Sequence, residues 1–225
     1  MVSLEKVKIY NFYDAFMGCR NSWKSWEKSD SKERLTAFDK EIEMYNFIEF
    51  GEEDLELFKA LVKGGSSERK FLRQINVSFK LTAPLYWWKQ FDQYRINVTS
   101  NAESTMHRVA KDRLDISNFS LDFGFEVDDL IAMNRFHNYI SFINTMIEDY
   151  NEEGQGAIEK KKLFRMINQF LPQSYNQMRT ITCNYENLLN MYFQRKNHKL
   201  LEWRQFCEQI KTFPHMKEII ECLED

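Results

Sequence analysis

The sequence predicts an α+β fold: a single domain over residues 1–225, with a small antiparallel sheet and several long helices. Three observations lead there. Leu72 to Thr82 reads as a strand, with apolar and polar side chains alternating from Gln74 onward, as a half-buried strand requires. Asp128 to Tyr150 and Ala157 to Phe170 instead repeat apolar residues at helical spacing. Only seven Gly and three Pro occur in 225 residues, and no low-complexity stretch marks a linker.

Taken in order, Val7 to Phe12 alternates and reads as an opening strand. Asn21 to Asp30 is polar with two Trp, suited to a loop or short helix. Leu35 to Phe50 carries Phe38, Ile42, Tyr45 and Ile48 at helical spacing. Asp54 to Lys63 is a short helix, with Asp54 as its cap and Gly64-Gly65 as its stop. In the strand at Leu72 to Thr82, Ile75, Val77, Phe79 and Leu81 share one face. Thr82 can cap the helix that follows, and Pro84 suits its first turn. That helix reaches about Tyr94 and presents Leu85, Trp88 and Phe91 on one face, with Tyr86, Trp87 and Trp88 as packing aromatics. Asn118 to Glu126 is irregular. In the long helix that follows, Leu130, Met133, Phe136, Ile140, Ile143 and Ile147 form the stripe, and His137 falls inside it as a buried, satisfied histidine. Leu171-Pro172 ends the next helix. Met178 to Cys183 is β-branched and short, a strand. Tyr185 to Arg195, Lys199 to Lys211 and His215 to Leu223 read as closing helices.

Composition narrows the function. A formal net charge of −3 gives no electrostatic case for nucleic acid or a membrane surface. The N-terminal residues lack a signal core and no window has spanning length, so a cytoplasmic protein is expected. Cys19, Cys183, Cys207 and Cys222 form no CxxC pair and read as reduced, packed thiols. The four histidines share no ligand spacing, so no metal site is expected.

The chemistry concentrates between Trp88 and Ser104, where polar side chains crowd together after a well-patterned strand and helix. Asn101 and Ser104 would share a face on a helical turn, and Arg95 stands near a helix end, where its guanidinium can hold a phosphate or carboxylate. Gln90 lies about one turn before Gln93 and Tyr94. These groups suit a polar, planar or phosphorylated ligand; a capping network at a strand-helix-loop junction would use the same residue types.

The run Trp88-Lys89-Gln90-Phe91, then Gln93-Tyr94-Arg95, then Thr99-Ser100-Asn101-Ala102-Glu103-Ser104-Thr105-Met106 resembles the signature of the flavin-dependent thymidylate synthases, the ThyX family. That signature reads Trp-Arg-Gln, an aromatic, any residue, Arg-His-Arg, then Ser-x-Asn-Glu-x-Ser-x-Arg. A second block, Leu171-Pro172 followed by Thr182 to Arg195, resembles the family's Leu-Pro segment and its Val-Asn-x-Arg-x-Leu-x-Asn-Phe stretch. The resemblance is clearest over residues 66–210. It implies a homotetramer with sites between subunits, FAD as cofactor, dUMP as substrate, NADPH and methylenetetrahydrofolate as co-substrates, and dTMP as product. Carried over by position, Gln90, Ser104 and Arg195 would contact dUMP, and Arg95, Asn101, Asn184 and Asn190 would contact FAD. The two clusters, at 90–104 and 184–195, are expected to line one cavity.

This sequence departs from the pattern at several ligand positions. Gln93 and Tyr94 replace the first Arg and the His of the triplet, and Ala102 replaces the Glu after the motif Asn. Met106 stands for the final Arg, and Glu186 for the second-block Arg. A charge-assisted hydrogen bond is worth roughly 1.5–3 kcal/mol, so each lost arginine weakens anion binding markedly. Arg69, Arg73 and Arg108 are the candidate replacements. The alternative reading is a catalytically inactive ThyX-like scaffold that has lost flavin and binds another nucleotide or a protein.

Overall fold

The computed structural model describes residues 2–36, 42–122 and 126–224. The fold is α+β. The strands are β1 (Ser3–Tyr10), β2 (Lys32–Thr36), β3 (Ile42–Glu49), β4 (Asn76–Pro84), β5 (Thr99–Ala102) and β6 (Asn176–Asn184), joined in one sheet of order β2-β3-β1-β4-β6-β5. β2 runs antiparallel to β3, while β1 pairs with β3 in parallel. The helices are α1 (Phe12–Met17), α2 (Glu52–Lys63), α3 (Leu85–Phe91), α4 (Thr105–Arg108), α5 (Val127–Asn151), α6 (Ala157–Phe170), α7 (Tyr185–Arg195), α8 (Leu201–Ile210) and α9 (Met216–Glu224). Among the described residues no helix is long and apolar enough to cross a membrane.

Two compact units are formed. The smaller comprises Thr82–Asp92 and Ala102–Met178; the larger comprises Val2–Leu81, Gln93–Asn101 and Arg179–Asp225.

In the larger unit β1 begins earlier than the alternation suggested. Leu4, Val7 and Ile9 are all buried although Leu4 and Val7 sit at odd spacing. Lys6 takes a positive φ of 54° and the pairing with β3 slips beside Val7, so an irregularity returns the alternation to phase. The helix expected from Leu35 to Phe50 is not formed where the chain is described: β2 and β3 stand there instead. Phe38 lies outside the described residues. The single steps from Ile42 to Tyr45 and from Tyr45 to Ile48 suit a helix, but the even spacing of Ile42 and Ile48 suits one face of a strand, and pairing with β1 and β2 decides for the strand. Leu35 is 75% exposed, so no helical apolar face would have been buried at that end.

Asp54, expected to cap α2, instead lies inside its first turn, fully buried, in an ion pair with Arg20. Asp30 does the capping from a distance: its carboxylate accepts from the Glu53 and Asp54 amides at 3.0 and 3.1 Å. A Cβ on Gly51 would come within 2.1 Å of the Asp30 Cγ, so this close approach requires glycine. Phe16, Phe50, Phe58 and Phe71 pack edge-to-face or tilted in the core of this unit, with His215 at its margin. The His215 ring lies 2.7 Å from the Ile48 carbonyl oxygen.

In the smaller unit α5 and α6 pack together over a core of Val109, Leu114, Phe119, Ile143, Ile147 and Ile167. Asn144 is a buried polar residue beside this core, clamping Leu114 by accepting from its amide at 2.7 Å and donating to its carbonyl at 2.8 Å. Trp87 and Trp88 are buried, as packing predicted, and the Trp88 indole donates to the Gln177 carbonyl at 3.0 Å. Two expectations change. His137 is exposed on α5, because only the C-terminal half of that helix is covered; Leu130 remains 47% exposed. Thr82 does not cap α3, whose N-cap is Pro84. The Leu85 and Tyr86 amides instead donate to the carbonyls of Tyr175 and Gln173, at 3.0 and 3.1 Å.

Candidate functional site

Helix α7 carries most of the second polar cluster, and its start is built for stability. Asn184 is the N-cap: its side chain accepts from the Asn187 amide at 2.9 Å, while the Asn187 side chain accepts from the Asn184 amide at 3.3 Å. The Asn187 carboxamide also donates to the Ile96 carbonyl at 3.0 Å, which ties the 93–101 segment to α7. Asn184 is therefore buried and engaged as a cap, whereas Asn190, two turns from the cap, is exposed.

Arg195 ends the same helix. Its Nε donates to the Tyr94 hydroxyl at 2.9 Å, and that hydroxyl donates onward to Gln194 Oε1 at 2.9 Å. The guanidinium carbon lies 4.9 Å from the Trp203 ring centroid and 5.7 Å from that of Tyr94. Tyr94 meets Trp203 edge-on at 5.9 Å. Among the described residues no carboxylate pairs with Arg195, and its two terminal amino groups make no hydrogen bond. A guanidinium gripped at Nε and along its faces, with its outer edge open, suits a bidentate anion or a carbonyl. His198, whose amide donates to the Arg195 carbonyl, has its pKa lowered by partial burial, then by the charges of Arg195 and Lys199.

Glu186, where the ThyX pattern has Arg, is buried near the start of α7 and pairs with Arg69 at 3.2 Å. Arg69 is thus committed to Glu186. Arg73 is held by the carbonyl and hydroxyl of Ser66. Arg95 is exposed beyond α3, and Asn101 is exposed on β5.

Asn101 and Ser104 do not share a helical turn. Sheet pairing extends residues 99–102 as β5, and Ser104 is the N-cap residue of α4, without a side-chain capping bond. Local spacing favoured a turn, but the main chain finds partners in the sheet.

The smaller unit holds Gln90, half-buried on α3, and Ser104, exposed before α4. Beside Ser104 is a cavity of about 360 Å³, lined by Thr82, Glu103, Arg108, Asp112, Tyr175 and Asn176 among others. Glu103 is fixed through its backbone: its amide donates to the Met178 carbonyl at 2.9 Å, and its carbonyl accepts from Gln177 at 2.7 Å. Its carboxylate pairs with Arg108 at 2.7 Å. Burial, reinforced by Glu103 and opposed by Arg108, raises the pKa of the Tyr175 hydroxyl. Tyr175, Asn176 and Asp112 were not singled out from sequence. Each sits outside the motif blocks, so only the fold brings them beside Glu103. The four cysteines form no disulfide, and among the described residues no His/Cys/Asp/Glu group could hold a metal ion.

This architecture is that of the flavin-dependent thymidylate synthases: the chain has a ThyX-like fold. ThyX from Helicobacter pylori, solved with FAD and dUMP, is similar at 15% identity with a TM-score of 0.67, and the match covers 100% of both chains. The UMP/dUMP methylase PolB from Streptomyces cacaoi, bound with 5-Br UMP, is similar at 13% identity with a TM-score of 0.64, covering 99% of this chain and 95% of that one. Its form bound with 5-Br dUMP gives 14% identity and a TM-score of 0.61. No protein-family model and no curated protein matches the sequence.

Proposed function

We propose that this chain is a divergent ThyX-like protein that binds a uracil nucleotide of the dUMP class, with Gln90, Ser104 and Arg195 as its nucleotide contacts. The observation that carries this reading is the Arg195 guanidinium, held at Nε by Tyr94 and over the Trp203 ring, with its outer edge unpaired among the described residues. The same reading takes residues 1–225 as one ThyX-like domain of a cytoplasmic homotetramer. Exposed apolar residues on α5, Leu130, Ile131 and Phe142, support self-association.

With FAD bound at Arg95, Asn101, Asn184 and Asn190, and with NADPH and methylenetetrahydrofolate, the activity would be reductive methylation of dUMP to dTMP. A bound flavin would supply the hydride and carry the one-carbon unit. The residues present do not fit a flavin pyrophosphate well: the carboxylate of Glu186 replaces an arginine, Arg69 is spent on that carboxylate, and the Asn184 side chain is spent on its cap. That observation favours the second reading, a nucleotide-binding scaffold without flavin.

Two measurements test both. Purified full-length protein is expected to bind dUMP by calorimetry and to lose that binding in Arg195→Ala with the fold intact. An absorbance spectrum separates the readings, since bound oxidised flavin colours the protein yellow. If Arg195→Ala binds dUMP like the parent, the site assignment is wrong.

A further inference from the structure

We propose that Tyr94 is the positioning residue for Arg195, and that its hydroxyl sets the direction in which the guanidinium meets an anionic or carbonyl ligand. The proposal rests on the uracil-nucleotide reading for the identity of that ligand, but its geometry stands on the larger unit alone. Nothing in the ThyX pattern points to this role, because the pattern has His where this chain has Tyr94.

An arginine at the end of a helix has several rotatable bonds and pays side-chain entropy to adopt one pose. Here three contacts remove that freedom. The Tyr94 hydroxyl accepts from Nε at 2.9 Å, fixing the rotation of the guanidinium plane. The same hydroxyl gives its own proton to Gln194 at 2.9 Å, so its lone pair stays directed at Arg195. The fully buried Trp203 lies against the guanidinium, 4.9 Å from its carbon, and fixes the tilt. Engaging Nε leaves the end edge of the guanidinium, one N–H from each terminal amino group, as a two-pronged donor. A ligand then finds the pair already aligned and avoids the ordering cost. A phenol suits this task because it reaches across from the 93–101 segment and holds no charge that would compete with the ligand.

Tyr94→Phe removes the acceptor while keeping the ring and its edge contact with Trp203. In full-length protein the variant is expected to retain the parent's thermal midpoint. The Arg195 Nε–H resonance should lose its protection from solvent exchange, and dUMP affinity should fall about tenfold, the worth of one hydrogen bond to a charged group. A role confined to packing would lower the midpoint and leave the Nε–H resonance alone, and that result overturns the proposal. So does dUMP binding equal to the parent's. If the parent itself fails to bind dUMP, the uracil-nucleotide reading falls, and inorganic pyrophosphate becomes the probe. A shift of the Nε–H resonance by pyrophosphate in the parent that weakens in Tyr94→Phe upholds the role of Tyr94. Equal shifts in both, or none in either, reject it.

Discussion

Removing Arg69 gives the sharpest test of how this chain accommodates a carboxylate at position 186. The two side chains are 18% and 10% exposed, and Arg69 Nε approaches both oxygens of Glu186, at 3.4 and 3.2 Å. Replacing Arg69 by Met keeps the apolar stem and strands the carboxylate in a site closed to most solvent. Breaking a fully buried pair costs about 3–5 kcal/mol, and a charged hydrogen bond alone about 1.5–3. Residual exposure places Arg69→Met at about 2–3 kcal/mol. With a urea slope of about 3 kcal/mol/M, the unfolding midpoint should fall by about 0.7–1 M. The double variant Arg69→Met/Glu186→Met removes the stranded charge and should recover to within about 1 kcal/mol of the parent, since apolar groups of similar volume replace buried pairs at little cost. The assay is urea denaturation followed by far-UV circular dichroism on all three proteins. A single variant as stable as the parent, or a double variant no better than the single, would show that Glu186 does not depend on Arg69.

The Asp54 carboxyl is pushed up by burial, but hydrogen bonds from Ser29, Ser31 and Arg20 outweigh that and hold it below the ordinary carboxylate value. A depressed carboxyl contributes stability that is complete above its unfolded value of about 3.9 and is lost as pH falls through the folded value. Acid unfolding below about pH 4 should therefore flatten in Asp54→Asn; an unchanged pH profile between parent and variant would refute the assignment. His198 should titrate, by proton NMR, below the ordinary histidine value of about 6.5, for its folded form resists protonation. Its contribution to stability is full above that value and is lost as pH falls through the folded pKa. An anion bound at Arg195 should raise the His198 midpoint, because it offsets a neighbouring positive charge, and a midpoint indifferent to dUMP and to pyrophosphate alike would count against an anion site there.

What could be read from local pattern was read well where one periodicity was unopposed. The helices at Ala157–Phe170 and Tyr185–Arg195 have the bounds their apolar spacing and flanking Pro172 suggested. β4 buries Ile75-phase residues Val77, Phe79 and Leu81 as alternation required. Reading failed where short steps suited a helix and the longer even spacing suited a strand, as from Ile42 through Tyr45 to Ile48, and where a distant strand or carboxylate supplied what local caps were expected to supply. Asp30 took the capping role assigned to Asp54, and sheet pairing drew Asn101 out of its imagined helical turn.

By itself, then, the sequence determined the α+β class, the helices and strand whose side-chain rhythm is local, and the two polar blocks that resemble ThyX. Periodicity is a property of neighbouring residues, so it survives without knowledge of the fold. Only tertiary structure decided which charges are engaged: Arg69 meets Glu186 across 117 positions, and Tyr94 meets Arg195 across 101. No spacing rule connects such residues. Their partnership is set by how the chain returns on itself, and it decides whether an arginine is spent on its own protein or left open for a ligand.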